Sequence, residues 1–81
     1  MLLCLKDACF KIDKIVSVAR AQTTIPKFED EDDNNDVIVC NVLNVFLEGY
    51  VTPITIFYDS IEERDESYTF AIECITDYYK G

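Results

Sequence analysis

Histidine is absent from this 81-residue chain, and glycine and proline occur only twice each. Without histidine there is no side chain whose ordinary pKa suits general-base work near neutral pH, and zinc loses its commonest nitrogen ligand. Two glycines cannot build a phosphate-cradling loop, and no serine or cysteine stands beside a plausible base. No apolar run approaches the ~20 residues a membrane helix needs. Cations are scarce too: seven Lys and Arg stand against sixteen Asp and Glu, a net charge of -9. Nucleic acids and anionic membranes both require the opposite field. These absences argue against an enzyme, against a bound cofactor, and against direct contact with nucleic acid or a membrane. They favour a basic protein as partner.

The acids that are present are unevenly spread. Residues 1–27 hold five cations against two carboxylates, a net of +3, while residues 28–81 hold fourteen acids against Arg64 and Lys80, a net of -12. Apolar residues make up 49% of the chain, as in a globular domain rather than a disordered tail. The length allows a single domain over residues 1–81, one that buries about 60–65% of the surface of its unfolded chain. The four cysteines, at 4, 9, 40 and 74, form no C-x-x-C pair. Two disulfides in any of three connectivities are conceivable. The opening "MLLCLKD", however, has too short an apolar run for a secretory signal. The expectation is a cytoplasmic protein with reduced, mostly core-packed cysteines.

Hydrophobic periodicity sets out an α+β chain. "LLCL" at 2–5 reads as a short strand, and Phe10 to Ala21 continues with alternating apolar positions and many β-branched residues. Residues 22–36, "QTTIPKFEDEDDNND", combine Pro26, an acid run and Asn-Asn, and predict a long acidic loop. Val37 to Leu47 is apolar in both phases of a strand, so both faces of that strand should be covered, one by a helix and the other by a second layer or a second subunit. Residues 48–50 form a turn around Gly49, and residues 51–59 the next strand, with Pro53 at an edge or at its start.

The helix signals are the sharpest in the chain. Ser60-Ile61-Glu62-Glu63 is a capping box, Glu62 and Glu63 suit the positive end of the helix dipole, and Lys80-Gly81 suits the other end. Ile61, Tyr68, Ile72, Ile75 and Tyr79 fall on one stripe at 3.6 residues per turn, which is predicted to pack on the sheet. The whole reads as an antiparallel sheet of about four strands packed by one C-terminal α-helix.

Two acidic features are candidate binding elements. The first is the run "FEDEDDNND", with Glu29, Asp30, Glu31, Asp32, Asp33 and Asp36. As a calcium loop starting at Asp30 it has Asn35 where glycine is wanted and Asn41 where a bidentate glutamate is wanted, and strand rather than helix follows it. It is read as a solvated loop with no metal. The second is a row on the helix: Glu62, Glu66, Glu73 and Asp77 lie opposite the Ile/Tyr stripe, ~22 Å from end to end at 1.5 Å per residue. Fixed carboxylates at that pitch can imitate a phosphate backbone. Phe70 borders the row and would serve as an apolar anchor.

Composition and row together suggest an inhibitory binding protein that occupies the basic nucleic-acid channel of an enzyme. Phage anti-defence proteins such as anti-CRISPR proteins, and toxin immunity proteins, are similar in size and charge, though no sequence motif is shared. The alternatives are a self-associating structural module, with the doubly apolar strand as its dimer interface, and a sponge for a small ligand with Lys6, Lys11, Lys14 and Arg20 as a local basic patch. A homodimer is expected under either the first or the second reading.

Overall fold

A computed structural model describes residues 1–26 and 37–81. Five strands, a short 3-10 turn and one helix follow in order: β1 (Leu2–Leu5), β2 (Ala8–Lys11), the turn Ile12–Lys14, β3 (Ile15–Pro26), β4 (Val37–Leu47), β5 (Ile54–Tyr58) and α1 (Ile61–Lys80). The strands make two antiparallel sheets, a β1–β2 hairpin and a three-stranded sheet in the order β3-β4-β5. The chain is α+β, as its periodicity predicts.

Several boundaries follow from local chemistry. Ser60 caps α1, its hydroxyl accepting the backbone N–H of Glu63 at 3.1 Å, and Gly81 closes the far end by donating its N–H to the Asp77 carbonyl at 3.1 Å. Gly49 takes φ +87° in the turn after β4, where any side chain would be strained. Pro53 precedes β5 rather than interrupting it.

Two strand boundaries depart from the sequence pattern. The alternation from Phe10 to Ala21 does not run through one strand. It breaks at the 3-10 turn, because Ile12 and Ile15, three residues apart, are both buried in the core, which a continuous strand would not allow. At the other end β3 runs on to Pro26, so residues 22–26 are strand and not loop. Thr23, Thr24 and Ile25 pair with Cys40, Val39 and Ile38. The pairing partner, which lies well along the chain, overrides the turn signal of the proline.

The core lies on one side of the three-stranded sheet. Val18, Leu43, Val45, Ile56 and Tyr58 from that side form one cluster with Leu3, Leu5, Phe10 and Ile12 from the N-terminal segment and Ala71 from the helix. The N-terminal hairpin therefore shares the helix side of the sheet. Lys6 at its turn has φ +51°, a region non-glycine residues rarely enter. Its ammonium donates to the Phe57 carbonyl and lies over the Tyr58 ring, 5.1 Å from the centroid, which ties the hairpin to β5.

Among the described residues, nothing of the core packs on the opposite side of the sheet. Register assigns it Ser17, Ala19, Ala21, Thr23 and Ile25 from β3, then Ile38, Cys40, Val42, Asn44 and Phe46 from β4. Thr55 and Phe57 from β5 complete it. No member of this side belongs to the core cluster or packs against it. Val42 is only 2% exposed, in the centre of its own neighbours, whereas Phe57 beside it is 46% exposed. Among the described residues, the expectation that β4 is covered on both faces therefore holds for one face alone.

The cysteines are the clearest correction. Cys4 and Cys9 are directly opposed in the β1–β2 register, with Cα atoms 3.9 Å apart, and form a disulfide on the exposed side of the hairpin. Cys40 and Cys74 are free and half-buried. The expectation of reduced, mostly core-packed cysteines is thus wrong for the first pair. Leu3, Leu5 and Phe10 take the core-facing positions of the hairpin, and alternation turns the two cysteines outward together.

Candidate functional site

The helix carries the candidate surface, and its orientation decides what that surface contains. The predicted Ile61/Tyr68/Ile72/Ile75/Tyr79 stripe is only partly the buried one. Ala71 is completely buried, with Tyr68, Cys74 and Ile75 packed against the core around it, while Ile61, Ile72 and Tyr79 are exposed. The buried face is centred on Ala71, a rotation of roughly 70° about the axis from the predicted stripe at 3.6 residues per turn. The cause is size. A helix approaches a sheet most closely where its side chain is smallest, and α1 has apolar side chains on several faces, so periodicity alone does not select one.

A polar cluster fixes this orientation. Arg64 donates from Nη1 to the Ala21 carbonyl of β3 at 3.0 Å, and from Nε and Nη2 to Asp65 Oδ1 at 3.1 and 3.0 Å. Arg20 of β3 reaches the same carboxylate at 3.8 Å and lies over the Tyr68 ring, 4.5 Å from its centroid. Asp65 is thereby engaged by two guanidinium groups on the sheet side of the helix. The sequence gives little warning of this, since Arg20 and Arg64 lie far apart along the chain and meet only through packing.

The predicted helix residues do come together. Glu62, Glu66, Glu73 and Asp77 are all exposed on the outward face, together with Thr69. Among the described residues the ion pairs are Lys14–Glu48, Arg20–Asp65 and Arg64–Asp65, and these four carboxylates take part in none of them. Neighbours four apart on a helix repel by a few tenths of a kcal/mol, so an unneutralised row is a small standing cost to folding. Phe70 flanks the row at 51% exposure and, with Asp65, Glu66, Thr69 and Glu73, lines a shallow depression on the helix surface. An aromatic ring beside fixed carboxylates is the arrangement of an interface anchor with a charged rim.

The other predicted residues, Glu29, Asp30, Glu31, Asp32, Asp33 and Asp36, lie outside the described residues. Their flanks, Pro26 and Val37, pair with each other at the far end of the β3–β4 ladder. Asn41, the last position of the calcium-loop alignment, sits inside β4, where its Oδ1 accepts from Gln22 Nε2 at 2.9 Å. Among the described residues no group of three or more potential metal ligands converges, and no helix is long and apolar enough to cross a membrane.

The sequence reading placed β4 on this open side of the sheet but missed the neutral positions that β3 and β5 add to it. All twelve of its positions are uncharged. Two of its four polar side chains are linked within the sheet, Thr55 Oγ1 donating to Asn44 Oδ1 at 2.7 Å. The signal was present in the second apolar phase of β4, and β3 adds to it with Ser17, Ala19, Ala21 and Thr23. Comparison with protein-family models, with curated proteins and with solved structures gives no match.

Proposed function

We propose that this protein is a small acidic inhibitor, not an enzyme, that docks the outward face of α1 on the basic nucleic-acid-binding surface of an enzyme. The observation that carries the reading is the row Glu62, Glu66, Glu73 and Asp77, which takes part in no ion pair among the described residues, with Phe70 exposed beside it. The row occupies lysine and arginine positions that otherwise hold phosphates, and Phe70 supplies contact area that loses water on docking. Complementary charge speeds the encounter more than it strengthens the final complex. Nucleases of the kind blocked by anti-CRISPR and immunity proteins are the partner class this chemistry fits. The acid run at Glu29–Asp36 adds to the field around the docked pair. A cytoplasm is the setting the reading implies. The exposed Cys4–Cys9 bond is uncommon in that setting, and the buried side chains of Leu3, Leu5 and Phe10 hold the hairpin beside it.

The test begins by capturing the partner from lysate and identifying it. The captured enzyme is then titrated with the parent protein and with a variant carrying Glu62→Lys, Glu66→Lys, Glu73→Lys and Asp77→Lys, with and without a competing oligonucleotide. The expected result is competition between oligonucleotide and parent, and loss of binding by the reversed variant at unchanged fold. Binding of the reversed variant as tight as the parent, with no competition, overturns the reading.

A further inference from the structure

We infer that the open side of the three-stranded sheet is a homodimer interface, occupied by the same side of a second copy. The inference does not depend on the docking role of α1, because it uses the opposite surface of the molecule.

Charge is the first argument. The chain bears a net charge of -9, and 28% of its residues are charged. A solvent-facing sheet side of twelve positions would ordinarily share in that. Here all twelve are neutral, and Asn44 and Thr55 already satisfy one another. Two copies this acidic repel wherever their carboxylates approach. The uncharged side is where they can meet with the acidic helices turned outward on opposite sides of the pair. A basic partner, by contrast, finds no complementary charge there.

The second argument concerns the sheet edges. Edge strands can recruit another strand through free backbone groups, and charged side chains discourage this. Each edge strand here has a cation on its backbone: the Arg64 guanidinium on the Ala21 carbonyl of β3, and the Lys6 ammonium on the Phe57 carbonyl of β5. Face-to-face packing, with sheets ~10 Å apart, is the mode left open.

Area sets the strength. From Ser17–Phe46 to Ile25–Ile38 the β3–β4 ladder is ~30 Å long, and three strands are ~14 Å wide where β5 is present. The plan area is on the order of 400 Å² per copy, so two copies bury roughly 1,000 Å² once side-chain relief is included. That lies at the lower limit for specific association, and the dimer should form at micromolar concentrations or above rather than at nanomolar ones.

The test is sedimentation equilibrium on the full chain from about 10 µM to about 1 mM, the range that brackets such an affinity. Mass should rise from 9.3 kDa towards twice that value. Ala21→Lys and Thr55→Lys each put a charge on the open side and should hold the protein at monomer mass with an unchanged far-ultraviolet dichroism spectrum. Thr55 is exposed on an edge strand, so its variant folds even if the Ala21 variant does not. Thr69→Lys, on the outward face of α1, should dimerise like the parent. Cys40 lies on the open side and Cys74 on the helix, so maleimide should modify Cys40 several-fold more slowly at high protein concentration and Cys74 at a constant rate. A mass that stays at 9.3 kDa up to about 1 mM overturns the inference and leaves the face to a different, uncharged partner. Association of the Ala21 and Thr55 variants equal to the parent overturns it as well.

Discussion

Replacing Ala71 by leucine and, separately, Ile72 by alanine tests the orientation of α1, on which the identity of the outward face depends. Ala71 is 0% exposed between the helix and the sheet core. Adding three carbons there forces the helix away or drives side chains off their rotamers, at a cost of about 1–3 kcal/mol. Ile72 is 37% exposed and lies outside the core cluster. A fully buried isoleucine would cost about 2–5 kcal/mol on truncation to alanine. This partly exposed one loses much less, and alanine recovers a few tenths through its better helix propensity. The net cost should be below about 1 kcal/mol. A domain of this length has a total stability of roughly 4–12 kcal/mol. With a urea slope of about 1–1.5 kcal/mol/M, Ala71→Leu should lower the denaturation midpoint by about 0.7–3 M and Ile72→Ala by less than Ala71→Leu. The assay is urea unfolding followed by far-ultraviolet dichroism. A larger shift for Ile72→Ala than for Ala71→Leu would refute the rotated helix and restore the stripe through Ile61, Ile72 and Tyr79 as the buried face.

Other perturbations read single elements. Leu43→Ala, at a fully buried position in the middle strand, should cost about 2–5 kcal/mol and abolish much of the thermal transition. Ser60→Ala removes the bond to the Glu63 N–H and should cost about 1 kcal/mol, seen as a lower urea midpoint with an unchanged slope. Gly49→Ala meets no atom within 4 Å, so its penalty of about 1 kcal/mol comes from the φ of +87° alone and should be smaller in Gly49→Asn, which tolerates that region better. Reducing the Cys4–Cys9 bond opens a very short loop, and chain entropy then predicts a loss of no more than about 2 kcal/mol, measurable as a fall in melting temperature on adding a thiol reductant.

Much of the fold was legible because its signals are local. The Ser60 cap, the Gly49 turn, Pro53 before β5 and the doubly apolar β4 each follow from the chemistry of a few adjacent residues. The misread parts depend on partners far along the chain. Residues 22–26 are strand because β4 pairs with them, and the 3-10 turn exists because Ile12 and Ile15 must both enter the core. The Cys4–Cys9 pair was within reach of the sequence. Lys6-Asp7 as a two-residue turn puts Cys9 opposite Cys4, and Leu3, Leu5 and Phe10 then take the inward positions. The outward acids of α1 survived an error in the helix face because the row is wide of both stripes. It stays in solvent whether Ala71 or Ile72 faces the sheet.

The two proposed surfaces respond to salt with opposite sign, and this separates them in one protein. Docking of Glu62, Glu66, Glu73 and Asp77 on a basic surface is attraction between exposed charges. It should weaken as salt shortens the Debye length from ~30 Å at 0.01 M to ~8 Å at 0.15 M. Dimerisation through the open sheet side brings together two copies of charge -9 at a contact that is itself uncharged, so the only long-range term is repulsion. Salt screens that repulsion, and the dimer should tighten over the same range. Apolar contact within the interface is little affected at these concentrations, so the sign is set by net charge alone. The lysine-reversed helix, whose net charge rises by two at each of its four positions, should dimerise more readily at low salt while losing the basic partner. A dimer that dissociates as salt is added would mean that ion pairs hold it, and the uncharged side of the sheet would then not be the surface that two copies share.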